Sequence, residues 1–263
     1  MRKLLLNTLI AFSISSLAQT TPDYKKFTIL VSAGASVPIQ DFGKKTFNRP
    51  NTAADTININ GFASTGVNFN LSVSYKFVKK LGVMLQASQT INRLDNTDYA
   101  NAINTAAAGA VTNNTNIQTS GPYHIGQYLI GLCLSLPLEE KVSFEAHALI
   151  GETTAANPKI TETQITPQDD VVATTKYNNG TGFGYNLGMG VKCMFNKTIG
   201  LQIMGSYAGS KISCPGYNYT YTDIQTRRGF VYNYAVTNNY STSSTRYMSV
   251  GMLNITLGLA FSF

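Results

Sequence analysis

Apolar and polar residues alternate along most of this chain with a period of two, the spacing that puts successive side chains on opposite faces of a β-strand. From Phe27 to Val37 the odd positions Phe27, Ile29, Val31, Ala33, Ala35 and Val37 are apolar. Val67 to Phe77 repeats the pattern, with Asn68, Asn70, Ser72, Ser74 and Lys76 on the opposite face. Further alternating runs begin at Leu81, Tyr128 and Val142. The clearest carries Phe183, Tyr185, Leu187, Met189, Val191, Cys193 and Phe195 on one face. Ile199, Leu201, Ile203 and Tyr207 mark a seventh run, and Leu253 through Phe263 an eighth. Eight runs of about nine residues or more have the length that a tilted strand needs to cross a bilayer.

The connections between runs alternate in length. Short links fall at Val78-Lys79-Lys80, Pro137 to Lys141 and Asn196-Lys197-Thr198, and long ones at Asp41 to Gly61, Asn92 to Pro122, Glu152 to Thr181 and Gly209 to Thr245. Short turns on one side and long loops on the other are the pattern of a transmembrane barrel, with periplasmic turns and extracellular loops. The expected fold is therefore all-β, an eight-stranded antiparallel transmembrane β-barrel with long extracellular loops. Ten strands is the alternative, if the alternating residues of the last loop are also embedded.

Charge decides which side of the sheet meets what. None of the apolar-face residues is Asp, Glu, Lys or Arg, although 13% of the chain is charged. A charge facing lipid costs ~2–4 kcal/mol at the bilayer midplane. A soluble barrel with the apolar face inward would need a charged exterior. The polar face here is Gly, Ser, Asn, Thr and Gln, with Lys76, Glu145 and Lys192 as its few ions. That suits a narrow, side-chain-filled lumen.

The N-terminus adds the route to that membrane. Arg2 and Lys3, an apolar stretch from Leu4 to Ile14 and Ser16-Leu17-Ala18 make a tripartite signal peptide over residues 1–18. Residues 19–263 are left as the barrel domain, and losing Arg2 and Lys3 takes the formal charge from +7 to +5. So small a dispersed charge does not point to nucleic acid. The apolar stretch is shorter than the ~20 residues of a membrane helix. Cys133, Cys193 and Cys214 have no zinc spacing, and no disulfide is expected among them.

The chain ends with Leu257, Leu259, Phe261 and Phe263 at alternate positions. This ending resembles the C-terminal assembly signal of outer-membrane proteins, carried here by Leu259, Phe261 and Phe263. With the eight-run pattern, the chain from residue 19 onward resembles the small outer-membrane β-barrel superfamily of the OmpX/OmpA type. The resemblance implies the bacterial outer membrane as location, outer-membrane lipid and the insertion machinery as partners, and no particular activity.

Candidate functional residues fall in the lumen and in the loops. Glu145 follows one short turn and Lys192 precedes the next, so inward-facing side chains on adjacent strands should meet at similar depth as a structural ion pair. Lys76 and His147 are further polar lumen residues, and Met84, Met194, Met204, Met248 and Met252 also face inward as gap-filling side chains. Tyr217, Tyr219 and Tyr221, then Tyr232 and Tyr234, alternate through the last loop. They suit either recognition of an extracellular partner or an interfacial girdle. Ile160, Ile165 and Val171-Val172 alternate in the preceding long loop, and residues 101–119 read as a mobile low-complexity segment.

Catalysis has little to stand on. His147 shares an inward face with Ser143 and Glu145, but successive inward residues are ~7 Å apart along a strand, which does not make a triad. His124 reads as a rim residue, and no phosphate loop, nucleotide fingerprint or metal cluster is present. The sequence thus favours a non-enzymatic outer-membrane barrel without a cofactor. Its loops would serve adhesion, envelope integrity or partner binding. A narrow channel for ions or small apolar solutes is the alternative, and a lipid-modifying barrel enzyme the remote one.

Overall fold

The computed structural model describes residues 25–45, 61–106, 114–165, 169–225 and 234–263. The expected signal segment lies outside them. Eight strands close on themselves: β1 (Phe27–Ile39), β2 (Gly66–Lys76), β3 (Leu81–Asn92), β5 (Tyr123–Pro137), β6 (Val142–Ala156), β9 (Gly180–Met194), β10 (Ile199–Gln225) and β11 (Tyr234–Ser262). Each pairs antiparallel with the next, and β11 returns to β1 from Thr28↔Ser262 to Ile39↔Gly251. Closure leaves no strand edge inside the bilayer, where an unpaired backbone group would have no water to bond.

The apolar runs form the outside. Leu71, Leu85, Ile130, Leu187, Ile203 and Ile255 are each at least half exposed, in a belt that runs around the whole barrel. On β6 this belt lies between Val142 and Glu152, whose partners are Cys193 and Phe183 on β9. Ten residue steps at ~3.4 Å, tilted by ~45°, give a height of ~24 Å. That matches the ~25 Å apolar band of outer-membrane barrels. Aromatic side chains frame it: Phe27 and Tyr75 at 4.9 Å on the short-turn side, Tyr185 and Tyr207 at 5.7 Å towards the other. Glu152 and Lys211 flank Phe183 across the strands and mark where charge reappears. No described helix is long and apolar enough to cross a membrane; this chain crosses with strands.

Three further strands stand above the long-loop mouth. They are β4 (Asn114–Ser120), β7 (Lys159–Ile165) and β8 (Asp169–Tyr177), and they extend a sheet in the order β11-β10-β8-β7-β4. The embedded count is eight, and the alternative of ten embedded strands does not hold. The last hairpin continues β10 and β11 upward instead of inserting beside them.

The handover occurs at Pro215-Gly216. Below it β10 pairs with β9, from Gly200 to Ser213; above it, from Tyr217 to Gln225, it pairs with β8. Pro215 has no N–H for a ladder, and Gly216 takes φ 74°, a left-handed conformation that a Cβ disfavours. The register with β11 shifts at the same point. Such a bulge bends a strand and raises its twist, and here it turns β10 out of the barrel wall.

A second departure from the sequence expectation is the segment read as low-complexity and mobile. Asn96–Ala106 forms helix α1 and 114–120 form β4; residues 107–113 lie outside the described ones. Asp95 is the reason for the helix start. Its Oδ1 accepts a hydrogen bond from the backbone N–H of Asp98 at 3.1 Å, which satisfies one of the four orphan donors of the first turn.

Candidate functional site

Two layers fill the interior, and each follows from which residue types the inward positions hold. From the short turns up to the loop-covered mouth the inward set is polar and largely hydrogen-bonded. Asn68 donates to Thr90 Oγ1 at 2.6 Å, Asn70 donates to Asn68 Oδ1 at 2.6 Å, and Gln86 donates to Asn70 Oδ1 at 3.1 Å. Gln127 donates to Thr153 Oγ1 at 3.2 Å. Buried polar groups of this kind are costly alone and rigidifying when satisfied.

Lys192 and Glu145 meet in this layer, with Nζ 2.8 Å from Oε1 and both side chains nearly buried. Register places Lys192 opposite Ser143 and Glu145 opposite Gly190, so the pair is diagonal across β6 and β9. The hydroxyls of Ser135 and Ser143 donate to the same Oε1 at 2.8 and 2.7 Å. Lys76 reaches over from β2 and donates to Ser135 Oγ at 2.8 Å. Two ammonium groups thus converge on one carboxylate.

His147 sits one layer higher, its Nε2 donating to Asn186 Oδ1 at 2.8 Å. Gly188, directly across on β9, leaves the space its imidazole ring fills; a Cβ there would collide with the ring. Ser143 is bound to Glu145 and the imidazole to Asn186, so serine, base and carboxylate are not arranged in series. His124 is exposed near the upper end of β5 between Ile91 and Ala156.

Towards the long loops the inward set turns apolar. Ile125, Ala155, Ala208, Ile212, Met248 and Met252 project from the wall and are almost wholly buried. They are covered by side chains that the loops send down into the mouth, chiefly Phe42, Phe62, Leu94 and Ile117, with Tyr99 of α1 packed against them. Phe42 meets Tyr123 edge-on at 5.3 Å, and Phe62 meets Tyr99 edge-on at 5.1 Å. Gln40 and Phe62 take left-handed φ of 54° and 45° next to these anchors. That conformation costs ~1–2 kcal/mol per residue, and burying an aromatic ring contributes ~1.5–3 kcal/mol in return.

Polar links tie the loops together above this apolar plug. Lys45 pairs with Asp95 at 3.1 Å and with Asp98, which joins the first loop to α1. Tyr99 donates to Glu162 Oε1 at 2.9 Å, which joins α1 to β7. Burial pushes the Glu162 carboxyl up, and the Tyr99 hydrogen bond offsets only part of that. Cys133 and Cys214 are buried and Cys193 is exposed on the outer face; all three are free.

The tyrosines singled out in the last loop divide. Tyr219 and Tyr240 are cross-strand partners with ring centroids 6.3 Å apart, above the Gly216 handover and so above the aromatic frame of the belt. The backbones of Tyr217, Tyr221 and Tyr234 continue the same ladder, while their side chains, and Tyr232 entirely, lie outside the described residues. Tyr240 carried no special signal beyond its alternation across a hairpin from Tyr219. At the chain end, Leu259, Phe261 and Phe263 project outward at alternate positions, and Phe263 exchanges backbone hydrogen bonds with Phe27.

No family model and no curated protein matches the chain. Among solved structures it is similar to Ail, the attachment invasion locus protein of Yersinia pestis, at 10% identity over 91% of this chain and 99% of that one, with a TM-score of 0.40. Neisserial surface protein A is similar at 9% identity over 90% and 97%, with a TM-score of 0.43. The outer membrane protease OmpT from Escherichia coli is similar at 10% identity over 93% and 99%, with a TM-score of 0.34. The closed register described above, rather than these distant likenesses, is what establishes the eight-stranded barrel.

Proposed function

We propose that this chain is a non-enzymatic barrel of the bacterial outer membrane that carries a recognition surface outside the cell. One observation supports this most: β10 and β11 run for 27 and 29 residues, about twice the length of the other barrel strands. Their upper halves form, with β8, β7 and β4, a five-stranded sheet that serves no part of the membrane crossing. A sheet that presents the Tyr219–Tyr240 pair offers rigid contact area at low entropic cost to a protein or surface partner. The apolar plug favours this reading over the channel, because water and ions would have to cross a mouth filled by Phe42, Phe62, Met248 and Met252.

Removing Tyr217 to Val236 tests it. Bacteria displaying the shortened chain should adhere several-fold less to an epithelial cell layer than bacteria displaying the full chain. The heat-dependent gel shift of a folded barrel should be unchanged. Equal adherence by the two strains, with both barrels folded, would count against the sheet as the functional part.

A further inference from the structure

The chain's charge is unevenly placed. Two lysines precede β1, two lie in the first short turn, and one lies in each of the other two; with Lys76 and Lys192 that makes eight. Among the described residues Glu139, Glu140 and Glu145 are the acidic ones at this end, so these residues carry 8 − 3 = +5 there. The other described residues hold seven cations and eight acids, 7 − 8 = −1. Among the described residues the positive charge therefore gathers at the short-turn mouth.

That mouth is concave. A recess of about 740 Å³ opens there, lined by Lys25, Lys76, Lys141, Lys192 and Lys197, with Glu140 at its rim. The volume is that of a small-molecule site. Its inner end abuts the Ser135–Glu145–Lys192 cluster, with the apolar plug beyond, so a solute entering from this side meets a floor. At that floor the charges do not cancel. Glu145 neutralises Lys192, whereas the hydrogen-bond partner of Lys76 is the neutral Ser135 hydroxyl. A partly buried ammonium that must share one nearby carboxylate with a second lysine is costly. The snorkelling that explains lysines at membrane turns does not reach Lys76 and Lys192, which face the lumen.

We propose that this recess binds a phosphate oxyanion, with Lys76 and Lys192 at its floor and Lys25, Lys141 and Lys197 around its rim. All eight cations at this end are lysine and none is arginine. Lysine binds phosphate as a compact point charge, while arginine grips carboxylate or phosphate bidentately, so an all-lysine set suits a small anion held by summed charge. The phosphate can arrive as a soluble phosphomonoester or as the headgroup of an anionic phospholipid in the adjoining leaflet.

The test uses the mature chain in nanodiscs, with the lysine ε-carbons isotopically labelled and read by NMR at constant ionic strength. In phosphatidylcholine discs, glycerol 3-phosphate should shift the Lys76 and Lys192 signals saturably, which identifies a soluble ligand. In phosphatidylglycerol discs, the same signals displaced before any addition identify the headgroup. Lys76→Met should weaken either response at least tenfold. Lys141→Gln, in an exposed turn that tolerates it, should weaken it about threefold, and Lys176→Gln on the opposite mouth should leave it unchanged. Unshifted floor lysines in both lipids, a shift that never saturates, or one equally strong in Lys76→Met would overturn the proposal.

Discussion

At the scale of single residues, the lumen depends on Glu145 more than on any apolar side chain in its layer. Its Oε1 receives Lys192, Ser135 and Ser143 together. Removing one partner of a buried ion pair costs ~3–5 kcal/mol, because the other charge stays behind, whereas removing both can be close to neutral. Lys192→Met is therefore expected to lower the urea midpoint of the refolded barrel, and Glu145→Gln in the same chain to restore much of it. An unchanged midpoint for Lys192→Met would mean that the pair contributes nothing. The proximity of these two residues is legible in the sequence, because a period of two and a short turn fix depth and facing on neighbouring strands. Glu162 and Tyr99 are not legible in this way: they come from different long loops and share no periodic frame.

Glu162 gives the loops a pH dependence. Its carboxyl is raised by burial, so the folded state disfavours its ionised form. Below the unfolded pKa the group is protonated in both states and has no effect. As pH rises through the raised folded pKa the loops lose stability relative to the unfolded state. Glu162→Gln keeps the acceptor for Tyr99 and removes the charge. Its loops should resist proteinase K longer than wild type at pH 7.5 and equally long at pH 4. A ratio of cleavage times that is the same at both values would contradict this.

At the scale of elements, strand lengths and short turns follow from the alternation almost residue for residue, because lipid enforces it on every outward position. The loop elements obey weaker rules. Helix α1 is mostly Asn, Ala and Thr, a composition that suggests low complexity, and its apolar side chains are too few to announce a helical stripe. The informative signal was local: Asp95, three residues before Asp98, in an N-cap position. The β10 handover was likewise written in Pro215-Gly216, a breaker pair inside a strand pattern. Gly216→Val should be strained at φ 74° and loosen the upper sheet without touching the barrel. Hydrogen exchange should quicken for the amides that join β8 to β10 and stay slow for those that join β1 to β11. Equal protection in both places would show that the handover does not need glycine.

At the scale of the whole molecule, one pattern of side chains sets three environments: a lipid-facing belt, a polar lower lumen and an apolar upper plug. The belt and lower lumen were legible because each residue there answers to a single neighbouring phase. The plug was not, since Phe42 and Phe62 belong to a loop and reach the core only through a fold of that loop over the mouth. Their burial is nearly complete, and truncating a buried Phe costs ~3–5 kcal/mol. The joint variant Phe42→Ala, Phe62→Ala should therefore free the mouth while the belt holds the barrel in place.

Single-channel recording across a planar bilayer tests the sealed barrel most directly, on protein shown to be folded by its heat-dependent gel shift. The wild-type chain should be silent, and the double alanine variant should show discrete openings. Reproducible openings of the wild type, unaltered by the two substitutions, would contradict a plugged lumen and move transport ahead of surface recognition.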